Sequence, residues 1–428
     1  MRRSRSGLLA VGLAVALIAL PACSSDANKG TGGGTNADKQ VEVFSWWTGP
    51  GEAQGLDAMI ADFKTKNPGI EFINAAVSGG AGTNAKAILA NRLQGGNPPD
   101  SFQVHAGLEL ADSVKAGKVE DLTYLYDKEG WKAKLPKGLL EAITIEGKIY
   151  SVPVNIHRSN LLWFSPKTLS SLGISAPPKT WSEFLTQAAT IQSKGKIPLS
   201  IGPLWTQKHL LENVLLGELG PEKYTGLWNG STDWKSAEVV AAVDTYKKVL
   251  GFTDIKSAAA DWQPALKKVS DGAAVYNLMG DWGNSLLAGD YKLTFKDGYD
   301  VVASPGTAGI YNFLSDSFTL PKGAKHRGAA EKWLVECGSV SGQDLFNPQK
   351  GSVPARTDTD KSKYKDYLAT ALADWTSSST KIVGSLTHGV VANNAWNAEI
   401  DTALGLYVSD GNTAKFVDAV AKAYASTK

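Results

Sequence analysis

"VEVFSWWTGPGEAQGLDAMIADFKTKNPGIEFINAAV", residues 41–77, holds a complete strand–helix–strand unit. "VEVFSW" reads as a strand, "TGPGE" as a short connection, and "AQGLDAMIADFKTKNPG" as a helix closed by its Pro/Gly stop. "IEFINAAV" gives a second strand. The pattern continues with the helix "NAKAILANRLQGG" and a short buried strand, "PPDSFQV". A βαβαβ order with short connections predicts a parallel sheet, and ligands collect at the carboxyl ends of such strands. Successive strand residues point to opposite faces, so Trp46 and Trp47 cannot both enter one core. One is core, and the other needs a separate reason. Gln103 and His105, two apart on an extended backbone, face the same side at the end of the third strand.

Upstream, Arg2, Arg3 and Arg5 precede "GLLAVGLAVALIALPAC". That run has signal-peptide length and is too short for a convincing membrane span, so residues 1–22 are predicted to be a signal peptide. Ala22-Cys23 resembles the lipobox of bacterial lipoproteins, which implies a lipid-bearing Cys23 and a membrane anchor. "SSDANKGTGGGTNADKQ", residues 24–40, is too polar and glycine-rich to fold, so residues 23–40 read as a lipidated flexible tether.

The remaining chain, 41–428, is long enough for two domains. The 44 basic and 42 acidic residues of the full sequence nearly cancel, which argues against nucleic acid or an acidic surface as partner. Besides Cys23 there is one cysteine, Cys337, on an apolar helical stripe that predicts a buried thiol. An exported chain without a disulfide must draw its stability from core size.

Thirteen tryptophans against 5 histidines and 3 methionines are the outstanding bias. An indole offers a broad apolar face and one N–H donor. A sugar ring offers the matching surface, with C–H groups on its faces and hydroxyls around its rim. Trp163, Trp181 and Trp333 sit in strand-like or amphipathic helical patterns and are expected in the core. Trp282, in Gly280-Asp281-Trp282-Gly283 after the strand of "DGAAVYNL", and Trp262, at the helix start of "DWQPALKKV", lie beside turns instead. The Gly-x-Gly-x-x-Ala spacing within residues 79–85 follows the second strand without a downstream acid at dinucleotide-loop distance, and reads as a helix-entry turn.

"IYSVPVNIHRSNLLWFSPKTLSSLGISAPPKTWSEFLTQA", residues 149–188, resembles the central signature of sugar-binding proteins of bacterial ABC importers, the family 1 extracellular solute-binding proteins. "GGNPPDSFQVHAG", "LPKGAKHRGAAEKWLVEC" and "NPQKGSVPAR" are similar to further segments of that family. "SWWTGPGEAQGL" and "SGGAGTNAKA" look most like its glucose/galactose-binding branch. The resemblance implies a periplasmic-binding-protein-like (type II) fold, with two α/β lobes joined by hinge segments around a ligand cleft. Lobe 1 would hold 41–152 plus 311–352, and lobe 2 would hold 153–310 plus 353–428. It also implies a monomer without cofactor or catalysis that captures glucose, galactose or mannose by hinge closure and delivers it to membrane permease subunits.

Carried over by residue, the sugar site would comprise Trp46, Trp47, Glu52, Gln103, His105, Trp262, Trp282, Asp316, Lys350 and His388. Asp accepts from adjacent hydroxyls, Lys donates, Gln does both, and neutral His donates from one nitrogen and accepts at the other. His157 is a weaker candidate, and His209 and His326 read as surface or helix residues. Two other functions stay open at this level. A glycoside hydrolase would need two carboxylates about 5–9 Å apart, with Glu52 and Asp316 as the conceivable pair. A surface adhesin would favour an open groove.

Overall fold

The computed structural model describes residues 38–79, 82–258 and 260–426. The predicted signal peptide, Cys23, the tether as far as residue 37, and Gly80 and Ala81 of the 79–85 turn lie outside the described residues.

Strand β1 (Gln40–Phe44) buries Val41 and Val43 and runs into the helix Glu52–Lys66. That helix turns Leu56, Met59, Ile60 and Phe63 inward, the spacing of one helical face. Strands β2 (Glu71–Asn74) and β3 (Ser101–His105) pair with β1 on either side, both parallel. The expected βαβαβ unit is therefore present. A small hairpin follows, β4 (Thr144–Ile145) with β5 (Lys148–Ile149), and then β6 (Val152–Pro153).

The chain next leaves this sheet through β7 (Asn155–Arg158) for β8 (Leu161–Phe164), β9 (Ile197–Ser200), β10 (Ala274–Leu278) and β11 (Asp300–Ala303). It returns through β12 (Ile310–Leu314) to β13 (Asp316–Thr319), with β14 (Val353–Pro354) and β15 (Lys381–Gly384) further on. The strands assemble into a sheet ordered β2-β1-β3-β13-β6 and a second ordered β11-β8-β10-β9. The crossing strands form a third, β14-β7-β12-β15. Both crossings leave the first sheet side by side: Val154 links β6 to β7, Ser315 links β12 to β13, and the Val154 N–H donates to the Asp316 carbonyl at 2.9 Å.

Trp163, Trp181 and Trp333 are core residues, and Cys337 is buried, as their patterns predicted. Of the two settings expected for His209, surface or helix, the structure shows the helix: it is fully buried in Leu204–Asn229. His326 precedes the helix Arg327–Gly338 and bonds Asp100 through Nδ1 at 2.8 Å. Among the described residues no helix is long and apolar enough to cross a membrane.

Candidate functional site

Residues at or just past the carboxyl ends of β1, β3, β9 and β10 line one cavity together with His157 and Leu314 of the crossing strands. Trp46, just past β1, lays its indole against His105 with ring centroids 5.1 Å apart and planes at 58°. The ammonium of Lys86 stands 5.3 Å from the same indole. Gly82 makes room for that ring: its φ is +96°, and a Cβ there would lie 2.9 Å from Trp46 Cδ2. Trp47 points the other way, 1% exposed, against Phe346 and Phe318 at centroid distances of 4.2 and 5.2 Å. This corrects the expectation that Trp47 contacts ligand; the strand's alternation assigns it to the core.

Asp316 opens β13 opposite His105 of β3. Its Oδ1 accepts from Gln103 Nε2 at 2.9 Å, and its Oδ2 accepts from Asn155 Nδ2 at 2.8 Å. His105 Nε2 stands 3.6 Å from Oδ1, and His157 Nε2 stands 3.5 Å from Oδ2. Burial opposes ionisation of Asp316, but the close approach of His157 and the positive charges of His157, His105 and Lys350 outweigh it. The carboxyl is held far below the usual range. Gln103 is 2% exposed and does not reach the cavity, because its other amide atom accepts from the Trp46 N–H at 3.1 Å. This too is a correction: Gln103 braces Trp46 against Asp316 instead of contacting ligand.

His157 is tied through Nδ1 to Asp281, which also accepts from the Arg158 N–H at 2.9 Å. Burial lowers the affinity of His157 for a proton, yet Asp281 and Asp316 more than restore it, so its pKa is raised. Burial raises the pKa of Asp281 in turn. His105 is held through Nδ1 by Glu109 Oε2 at 2.8 Å, an oxygen that Lys86 also reaches at 2.7 Å. Desolvation works against the Glu109 carboxylate, but Lys86 and His105 bring its pKa down to about 2. Lys350 and Glu52 close one side as an ion pair at 2.5 Å, and Glu52 also accepts from the Gly49 N–H at 3.1 Å.

The opposite wall is aromatic. Trp282, past β10, sits 5.2 Å from His388 and 6.5 Å from Trp205, while its ring and that of His157 are perpendicular at 5.4 Å. Trp262 begins the helix Trp262–Ser270 behind the N-capping Asp261. These groups enclose a cavity of about 640 Å³ of empty space, its mouth included. Trp46, Glu52, His105, Trp262, Trp282, Asp316, Lys350 and His388 all line it, as does His157.

Trp205, Asp261 and Gln263 also line the cavity and were missed by the sequence reading. Trp205 had a legible signal, because it follows Gly202-Pro203 directly after a strand, the same setting that singled out Trp282. Among the described residues no group of three or more His, Cys, Asp or Glu side chains is placed to hold a metal.

Two α/β lobes joined by crossing strands, with an indole-lined cavity at the strand ends, define a solute receptor. The bacterial extracellular solute-binding protein family matches residues 48–344, and the chain belongs to that family. It is 31% identical over 406 residues to an ABC transporter extracellular-binding protein of Pyrococcus horikoshii, covering 94% of this chain and 91% of the relative. It is also 31% identical over 392 residues to a "probable sugar-binding periplasmic protein" of Brucella suis, covering 88% and 90%. The fold superposes on that of a chitin oligosaccharide binding protein with a TM-score of 0.79, at 18% identity, over 91% of this chain and 99% of the other. The fold is thus the type II periplasmic-binding fold, and the chain groups with the sugar-binding proteins of ABC importers.

Proposed function

We propose that this protein captures one hexose (glucose, galactose or mannose) in the cavity and delivers it to the permease of an ABC importer. The carrying observation is Asp316, an ionised acceptor on the cavity floor beneath indoles drawn from both sheets. A carboxylate accepts from neighbouring hydroxyls while an indole covers the C–H face of the same ring. Charged hydrogen bonds of about 1.5–3 kcal/mol each, with a stacked indole, are sufficient for micromolar affinity, near −8 kcal/mol. The chitin oligosaccharide binding protein shares the fold alone. The grouping of Trp46, Trp205, Trp262 and Trp282 around one set of polar groups supports a single pyranose as the ligand.

Binding is favoured over hydrolysis by the state of the two carboxylates. Asp316 is held far below the range of a proton donor, and Glu52 is engaged by Lys350 and the Gly49 N–H. We further propose anchoring through a lipidated Cys23, and closure of 41–152 plus 311–352 against 153–310 plus 353–428. Calorimetry with hexoses and with their di- and oligosaccharides tests the reading. Tight binding of one hexose, with no product formed on incubation, is expected. Preference for an oligosaccharide, or no saccharide binding at all, overturns it.

A further inference from the structure

A buried carboxylate outside the cavity is connected to it by a chain of hydrogen bonds with a definite direction. Glu212, on the helix Leu204–Asn229, is fully buried and has four donors within hydrogen-bond distance, of which the Tyr224 hydroxyl also reaches the Gly384 carbonyl at 3.1 Å. These are the Asn312 amide, the Tyr224 hydroxyl at 3.3 Å, the Thr387 N–H at 2.9 Å and the Ser385 hydroxyl at 3.2 Å. Ser385 Oγ in turn lies 2.9 Å from His388 Nδ1 and 3.3 Å from the His388 N–H.

The directions follow from what each atom can do. A carboxylate only accepts, so the single hydrogen of the Ser385 hydroxyl points at Glu212. Oγ is left with two lone pairs. One receives the His388 N–H, and the other faces Nδ1, which must therefore carry a hydrogen. In a neutral imidazole the other nitrogen then carries none.

We infer that Glu212 and Ser385 are positioning residues that fix His388 as its Nδ1–H tautomer, so that Nε2 meets the ligand purely as a hydrogen-bond acceptor. Burial, with the nearby charges of His105, His209 and Lys86, keeps the ring neutral by lowering its pKa well below the ordinary value. The inference rests on the hexose reading for its ligand but on the protein alone for its geometry. Its consequence for specificity is that two acceptors, Asp316 and His388 Nε2, demand hydroxyls that donate. A fluorine in place of such a hydroxyl can accept but cannot donate.

Two measurements on the full chain test this. The first is the long-range proton–nitrogen spectrum of ¹⁵N-histidine-labelled protein without sugar, which reads the tautomer directly. A protonated Nδ1 and bare Nε2 on His388 are expected, and a protonated Nε2 overturns the inference. The second is calorimetry of the hexose with its single deoxy and single fluoro analogues, for the native protein and for Ser385→Ala. In the native protein, at one ring position the fluoro analogue should bind as poorly as the deoxy analogue. In Ser385→Ala, affinity for the parent hexose should fall about tenfold, and at that position the fluoro analogue should overtake the deoxy. Unchanged discrimination in Ser385→Ala overturns the acceptor role. No hexose binding, with the tautomer as inferred, overturns the sugar reading and upholds the relay.

Discussion

Asp316 is the residue on which the cavity's polarity turns. Replacing it with Asn keeps the shape and removes the charge that Gln103, Asn155, His105 and His157 surround. Asp316→Asn is expected to weaken hexose binding about a hundredfold, the loss of roughly 2–3 kcal/mol of charged hydrogen bonding, measured by calorimetry beside an unchanged circular dichroism spectrum. Trp205→Ala should weaken binding about tenfold through lost ring contact; full affinity would remove Trp205 from the site. At this scale the sequence shows residue types and strand faces, but not which partner claims an atom. Alternation separates Trp46 from Trp47 without saying which is outside. Gln103 does share a face with His105, yet its amide is consumed by Asp316, 213 positions away, and no spacing along one strand reveals that.

Among the elements, the first helix is placed by a close approach that only glycine permits. Gly51, at its N-terminus, has φ +73°, and a Cβ there would lie 2.4 Å from the Gln349 carbonyl oxygen of the helix Val340–Lys350. Gly51→Ala is expected to destabilise the fold by about 2–3 kcal/mol, since the backbone conformation and the contact must both yield. A thermal scan should show a lowered Tm, and because the same junction sets Glu52 against Lys350, sugar affinity should fall with it. The first helix was readable because one face is buried and the other is wet. The helix Leu204–Asn229 was not, because residues 206 to 216 are buried without interruption and present no contrasting stripe. Its break at Gly220 (φ 74°, ψ 169°) before Pro221 blurs the period further.

For the whole molecule, the proposed closure predicts that saturating hexose shrinks the radius of gyration in small-angle scattering, because contacts from both sheets would coexist only in a shut form. An unchanged radius would exclude closure. Acid sensitivity follows from Glu109. Its pKa of about 2 in the folded state lies below the ordinary value of 4.5, so its contribution is complete above about pH 4.5 and is lost as pH falls towards 2. Glu109→Gln should flatten that acid limb in urea unfolding and cost at most about 3 kcal/mol at neutral pH. The βαβαβ beginning could be read from local patterns, whereas the return of the chain to its first sheet was implied only by the family resemblance. The crossing sheet could not, since it joins strands as distant as β7 and β15, each only four residues long.

That crossing sheet carries one further implication. On β7, His157 turns to the cavity while its neighbour Arg158 grips Asp374 at 2.6 Å and the Ile310 carbonyl at 2.8 Å, over the ring of Tyr311. Under the proposed closure, recognition and pivot would be adjacent links of a single strand. Anyone re-engineering this receptor for another solute will find that selectivity and resting posture cannot be adjusted as separate dials.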